Sequence, residues 1–385
     1  MVYIKRQIEK EVKTLAKEFP IVAVMGPRQS GKTTMIKNVF SKYKYVSLED
    51  SNMRELAEND PKSFLEKFSG KTIIDEVQYA PSLFPYLQIV TDEKNQAGQY
   101  IITGSQNYLL LNKISQSLAG RVGIARLLPF SYHEIENKLN NKSVSKIMFA
   151  GFYPRIFKEN IRPASFYDSY LTTYLEKDVA TIFKIKNLEQ FRGFLKLLAS
   201  RSGQILNISS LSNDLDISRI TIREWLNILE SSFIIFKNPP FFKNYKKQVI
   251  KSNKIFFYDT GLVCYLLGIA SAEQLEENYL VGNIFETLVA SEFLKNDFNR
   301  GKRENIYYWR DNKGREIDLI KQEGNYNKGY EIKKTKTIRD NFFKNLSFWE
   351  TLEKNNTKNL IYDGTEEYII NKTKIINWRN IFNLK

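Results

Sequence analysis

The chain has 385 residues, more than one hydrophobic core usually organises, so its length alone predicts two or three domains. A hydrophobic content of 42% with 14% aromatics is ample for packed cores, while one cysteine and one histidine exclude an internal disulfide, a cysteine-cluster metal site and a histidine-rich zinc site. A net charge of +15 favours a polyanionic partner, nucleic acid or an anionic membrane surface, although lysine-rich usage alone also produces such a balance.

Residues 1–20 alternate charged and apolar positions at helical spacing, which is not the pattern of a signal peptide, and no later segment approaches the length of a membrane span. A cytoplasmic protein is expected. From Ile21 to about Pro129, short apolar runs (Ile21 to Met25, Tyr45 to Leu48, Thr72 to Ile74, Tyr100 to Thr103, Gly123 to Leu127) alternate with longer amphipathic stretches. That alternation predicts a parallel sheet with helices between its strands.

Within this region Gly26-Pro27-Arg28-Gln29-Ser30-Gly31-Lys32-Thr33-Thr34 satisfies G-x-x-x-x-G-K-[ST] between a strand and a predicted helix, Thr34 to Phe40. Glycines let such a loop wrap its backbone N–H groups around a β-phosphate, and the helix presents its positive N-terminus to the same group. Lys32 is expected to bridge the β- and γ-phosphates and the Thr33 hydroxyl to hold Mg²⁺. Lys71-Thr-Ile-Ile-Asp75-Glu76 places two carboxylates at a strand end, the edge where such sheets bind ligands. Asp75 is expected to hold Mg²⁺ through its water shell and Glu76 to orient and deprotonate the attacking water. The strand Tyr100 to Thr103 brings Ser105 to that edge, as a reader of the γ-phosphate or as a turn residue.

These segments, with Leu118-Ala-Gly-Arg121, Leu128-Pro-Phe-Ser131, Asp259-Thr-Gly-Leu262, Tyr308-Trp-Arg310 and Glu331-Ile-Lys333, resemble the bacterial and archaeal AAA ATPases that carry a C-terminal domain of unknown function. The resemblance covers nearly the whole chain. It implies an α/β fold: an AAA+ P-loop core (1–135) with helices on both faces of a parallel sheet, a helical lid or connector (136–202), a winged helix (203–262) and a domain similar to PD-(D/E)XK nucleases (275–385). It also implies ATP and Mg²⁺ as cofactors, a homo-oligomer, and Arg121 as an arginine finger supplied by a neighbouring subunit, against an ordinary ion pair. Gly151-Phe-Tyr-Pro154 departs from the family, which commonly has a second glycine there.

Residues 130–202 have the long periodic runs of helices, and His133 and Cys264 read as structural, in a loop and in a core. Leu211 to Ile217, a turn at Ser218 and Thr221 to Leu229 read as a helix-turn-helix with Ile222, Trp225, Leu226 and Leu229 facing inward. Arg219, Thr221, Arg223 and Asn227 are then available to DNA phosphates, followed by a basic wing with Lys243, Lys246 and Lys247 between strands 233–236 and 254–258. Winged helices also serve as protein contacts. The last segment is expected to start with a helix, Asn283 to Leu294, and continue with strands at Ile306, Ile317 and Tyr330. Glu286, Asp318, Glu331 and Lys333 form its nuclease-like set, in which Asp318 and Glu331 share one Mg²⁺ if the site cleaves and serve only binding if it is a remnant. The expectation is an ATPase coupled to DNA binding or remodelling; the alternatives are a slow ATP-dependent protein switch and an ATP-gated nuclease.

Overall fold

The computed structural model of the chain describes residues 3–94, 96–105, 117–174, 185, 187–241, 251–352 and 355–382. Helix α1 (Glu9–Glu18) precedes β1 (Ile21–Met25), α2 (Lys32–Val39), β2 (Lys44–Ser47), α3 (Ser51–Asn59), α4 (Pro61–Lys67), β3 (Thr72–Asp75), α5 (Leu83–Lys94), β4 (Tyr100–Gly104) and β5 (Val122–Arg126). The five strands form one parallel sheet in the order β2-β3-β4-β1-β5. Strand β1 is apolar at every position and fully buried, as a central strand covered on both faces must be. Every strand ends at the same edge, so β1, β3 and β4 deliver Gly26, Asp75 and Gly104 side by side.

The next stretch is helical, as its periodicity predicts: α6 (Glu136–Leu139), α7 (Val144–Ala150), α8 (Pro154–Lys158), α9 (Pro163–Tyr170) and α10 (Leu188–Ser200). The short strand β6 (Gln204–Ile205) precedes α11 (Ile208–Leu215) and α12 (Arg219–Ser231), and β7 (Ile235–Asn238) and β8 (Lys254–Phe257) complete a three-stranded antiparallel sheet in the order β6-β8-β7. Ser218 caps α12 by accepting from Thr221 N, and Asp216 makes the turn with φ +51°. Ile222, Trp225, Leu226 and Leu229 are buried as their spacing predicts, Trp225 against Phe191 and Phe194 of α10. Strand β7 starts two residues later than the apolar run, because Phe233 takes a positive φ of 58° in leaving α12. The proposed wing residues Lys243, Lys246 and Lys247 lie outside the described residues.

The chain continues through α13 (Thr260–Leu266), α14 (Ala272–Glu277) and α15 (Val281–Asn299) to β9 (Ile306–Arg310), β10 (Glu316–Glu323), β11 (Tyr326–Lys333), α16 (Phe343–Leu352), β12 (Asn356–Tyr362), β13 (Tyr368–Ile370) and β14 (Thr373–Asn377). These strands make a six-stranded mixed sheet in the order β13-β14-β12-β11-β10-β9. One face packs Leu319, Tyr330 and Ile332 with α15, and the other packs Ile317 and Ile320 against Leu346 and Trp349 of α16. Helix α15 is buried nearly all round, so its charged side chains Glu292, Lys295 and Asp297 lie inside as ion pairs, Lys295 with Glu292 at 2.8 Å and Asp297 with Lys321. Cys264 is buried within α13, and His133 packs its ring beside Tyr132 and Phe382.

Candidate nucleotide site and carboxylate cluster

The loop between β1 and α2 turns on residues that tolerate unusual backbone. Gly31 caps α2 at φ +93°, and a Cβ on Gly26 would lie 2.0 Å from the Leu127 carbonyl oxygen. The Lys32 ammonium is buried inside this loop and donates to the carbonyls of Gly26 and Pro27, both at 3.0 Å. Burial pulls its pKa below the ordinary lysine value, while Glu76 and Asp75 oppose that shift.

Opposite the loop, Asp75 gathers three hydroxyls. Its Oδ2 accepts from Thr33 Oγ1 and Tyr45 Oη at 2.8 Å each, and its Oδ1 accepts from Thr103 Oγ1. Thr33 and Asp75 therefore offer adjacent hard oxygen donors, a set that suits Mg²⁺. Glu76 follows in a left-handed conformation, φ +55°, and its N–H donates to Thr103 Oγ1 at 3.0 Å. This turn sends its carboxylate out of the strand line, where Oε2 accepts from Gln78 Nε2 and, at 3.2 Å, from Ser105 Oγ. Ser105 thus stands at the predicted edge, bonded to Glu76.

Three groups at this site gave no signal in the sequence. Thr103 ties both acidic residues to β4, and Tyr45 reaches Asp75 from within β2. Arg6, buried beneath the loop, donates to the carbonyls of Ser30 (2.9 Å) and Leu128 (2.7 Å) and pairs with Glu134 at 3.0 Å. Beside the loop, a cavity of about 280 Å³ is lined by Tyr3, Ile4, Thr34, Asn38, Phe130 and Pro154.

Arg121 sits elsewhere. Its carbonyl accepts from Ile21 N at the start of β1, the sheet edge opposite the loop, and its guanidinium chelates Asp92 at 2.5 and 2.9 Å. It does not approach the loop of its own chain. The residues of Gly151-x-x-Pro154 and Asp259-Thr-Gly-Leu262 meet in a buried knot: Asp259 accepts from Phe152 N (2.7 Å), Tyr167 Oη (2.6 Å) and Leu262 N (3.1 Å). Burial raises the Asp259 carboxyl despite those donors.

In the C-terminal region Glu286 of α15, Asp318 of β10, and Glu331 and Lys333 of β11 come together as predicted. Lys333 pairs with Glu331 at 2.6 Å and Asp318 at 3.5 Å, and Asp318 accepts from Ile332 N at 2.8 Å. A further cation enters the cluster from β8: Lys254 Nζ pairs with Glu286 at 2.8 Å and also with Glu316. Burial alone would depress this ammonium, but Glu286, Glu316 and Asp318 outweigh it and hold Lys254 above the ordinary lysine value. Among the described residues, no three acidic, histidine or cysteine side chains are placed to hold a metal ion. On α12, Arg219 and Arg223 are exposed and Thr221 is half-buried, while Asn227 accepts from Lys237 at 3.2 Å.

A parallel sheet of this strand order, with a glycine-rich loop after β1 and an Asp-Glu pair ending β3, defines an AAA-type P-loop ATPase domain. Residues 18–136 match the family model described as an AAA domain, and residues 141–273 and 281–381 match two domains of unknown function, DUF8612 and DUF4143. The protein Rv2008c of Mycobacterium tuberculosis, itself uncharacterized, is 30% identical over 321 residues, which cover 83% of this chain and 71% of that one. An uncharacterized protein of Haemophilus influenzae is 23% identical over 312 residues, 72% of this chain and 75% of its own. The chain belongs to the family of the mycobacterial protein. Among solved structures, the Walker-type ATPase paby2304 of Pyrococcus abyssi aligns over 69% of this chain and 96% of its own, at 13% identity and a TM-score of 0.40. No helix among the described residues is long and apolar enough to cross a membrane.

Proposed function

We propose that the chain binds ATP with Mg²⁺ and hydrolyses it, and that turnover acts on DNA held by its C-terminal half. The observation that carries the first part is the 2.8 Å approach of Thr33 Oγ1 to Asp75 Oδ2, beside Lys32 and Glu76. In this reading the amides of residues 28–33 and the Lys32 ammonium take the β- and γ-phosphates. Thr33 and Asp75 would hold a magnesium ion, which when bound would supply neutralisation of the phosphate charge. Glu76 orients the attacking water and takes its proton, and Ser105 reports the γ-phosphate to the carboxylate it touches. The cavity lined by Ile4, Asn38, Phe130 and Pro154 receives the base, with apolar walls for its faces and Asn38 for its edge.

The DNA part rests on the net charge of +15, on the exposed Arg219 and Arg223 with Thr221 between them in sequence, and on the lysine-rich sequence at Lys243, Lys246 and Lys247, which lies outside the described residues. We read residues 1–135 as the ATPase core, 136–202 as its helical lid, 203–262 as a winged helix and 275–385 as a nuclease-like binding domain, in a cytoplasmic homo-oligomer. Arg121 reaches a γ-phosphate only in a neighbouring subunit, and only by exchanging Asp92 for it.

Phosphate release by the full chain, with and without duplex, forked or single-stranded DNA, tests both parts, with Lys32→Ala as control. Lys32-dependent hydrolysis that DNA stimulates, with stimulation falling steeply as salt is added, is expected. Hydrolysis indifferent to all three DNAs sinks the DNA part, and absence of hydrolysis sinks the whole reading.

A further inference from the structure

The two edges of the six-stranded sheet differ. At one, β9 is covered: Phe241 N donates to the Tyr308 carbonyl at 2.7 Å and Tyr308 N to the Pro239 carbonyl at 3.1 Å. At the other, β13 has β14 on one side and, among the described residues, no strand on its other side. Every residue from Thr365 to Lys372 is exposed, including Tyr368 (42%), Ile369 (67%) and Ile370 (38%). Edges of this kind are ordinarily blunted by a lysine, a proline or a bulge, and Tyr368–Ile370 carries none of them.

Hairpin geometry fixes which backbone groups this edge offers. Asn371 and Lys372 both take positive φ, 48° and 62°, the two-residue turn that closes a hairpin between Ile370 and Thr373. Hydrogen-bonded and non-hydrogen-bonded pairs alternate away from that closing pair, so Ile369, opposite Lys374, turns its N–H and C=O away from β14. A further strand therefore joins by exchanging hydrogen bonds with Ile369. The charges on either side of it are of opposite sign, Glu366 and Glu367 before the strand and Lys372 after it. A parallel copy would set like charges together. An antiparallel copy, paired Ile369 to Ile369, sets Tyr368 opposite Ile370 and Glu366 opposite Lys372, each twice by symmetry. Centring the pair on Tyr368 or Ile370 instead would face groups that already bond to β14.

We propose that the edge at Tyr368–Ile370 pairs with the same edge of a second copy of this chain, antiparallel about Ile369, joining two six-stranded sheets across a twofold axis. The apolar side chains supply the association, and the Glu366–Lys372 pairs fix the register. This contact is separate from any that brings Arg121 to a neighbouring subunit, and it needs no nucleotide.

Sedimentation velocity of the nucleotide-free full chain over a concentration series tests this, independently of ATP turnover. Wild type is expected to be a weak dimer, in the micromolar range that a small interface gives. Ile369→Lys, a change at an exposed position, is expected to sediment as a monomer. Glu366→Lys is expected to weaken the dimer by at least ~5-fold, since it turns two ion pairs repulsive, and Glu366→Lys/Lys372→Glu to recover it. Ile369→Cys is expected to link across the axis on oxidation: directly opposed hydrogen-bonded residues stand about 5.5 Å apart, within disulfide reach, and Cys264 is buried. A wild-type chain that stays monomeric throughout overturns the inference, as does an assembly that Ile369→Lys leaves intact. A double variant that does not recover what Glu366→Lys loses overturns it too, because the two charges are then not opposed.

Discussion

The Arg6 guanidinium donates to the Ser30 carbonyl at 2.9 Å, joining the start of the chain to the phosphate loop across 24 residues. The same side chain pairs with Glu134, whose other oxygen accepts from Ser131 N at 2.9 Å. The next amide, Tyr132 N, donates to Glu292 of α15 at 2.9 Å, and Glu292 pairs with Lys295 in the buried interior. The loop is thus connected through Arg6 and residues 131–134 to the helix that carries Glu286.

Arg6→Ala leaves the Glu134 carboxylate without its cation and two buried carbonyls without their donor, a change that costs about 3–5 kcal/mol where a buried pair is broken. Urea unfolding should show that loss, and calorimetry should show ATP affinity lowered by about tenfold, since the loop is no longer held from below. Unchanged affinity in a destabilised variant would confine Arg6 to packing.

Glu76→Gln keeps the shape of the site and removes the proton acceptor. ATP affinity should stay within about threefold of wild type while turnover falls by about 10²–10⁴, the range for a general base. Thr103→Val removes the hydroxyl that fixes both Asp75 and the Glu76 amide, so its turnover should fall without a matching loss of affinity. Normal turnover in Glu76→Gln would give the water-activating role to another residue.

Much of this site was legible because the phosphate loop and the Asp-Glu pair are local patterns: spacing puts Lys32, Thr33, Asp75 and Glu76 at strand ends, and sheet order brings those ends together. The buried face of α12 was legible for the same reason, since Ile222, Trp225, Leu226 and Leu229 recur at helical spacing. Arg6, Tyr45 and Thr103 were not, because each acts through a contact dozens of residues away and none sits in a distinctive local pattern. Lys254 was hidden differently. It opens an apolar strand as an ordinary lysine would, and only the packing of β8 beside α15 and β10 shows that it lies among carboxylates. The last strands, β12 to β14, were missed because polar residues such as Asn356, Lys358 and Asn359 interrupt their apolar runs, and these side chains are buried by pairing with Trp349, Glu350 and Gly329 rather than by apolarity.

Gly151 has φ +68°, and a Cβ there would stand 1.9 Å from Tyr167 Oη and 2.5 Å from Asp259 Oδ1. Gly151→Ala must therefore both strain its backbone and push apart the hydrogen bond between those two residues. A loss of about 2–4 kcal/mol is expected in urea unfolding, from overpacking together with backbone strain. Tyr167→Phe in the same background relieves the closest contact and should recover part of it. If Gly151→Ala were as stable as wild type, the knot joining Asp259 to α7 would not be rigid.

The carboxylate cluster should make stability fall as pH rises. Burial pushes the Glu331 carboxyl up to about 8, with Asp318 adding to the shift and Lys333 opposing it. Burial likewise lifts Glu286 to about 8, against the pull of Lys254 and with Asp318 and Glu316 adding. A carboxyl whose folded value lies above its ordinary 4.5 binds more protons folded than unfolded, so its contribution is complete below the unfolded value and is lost as pH rises through the folded one. Because Glu331 and Glu286 lie close together, the loss belongs to the pair rather than to either residue. Urea unfolding from about pH 5 to about pH 8.5 should show a steeper decline in wild type than in Glu331→Gln, whose amide has no proton to release. Parallel curves for the two proteins would mean that Glu331 is already ionised across that range, with Lys333 outweighing its burial.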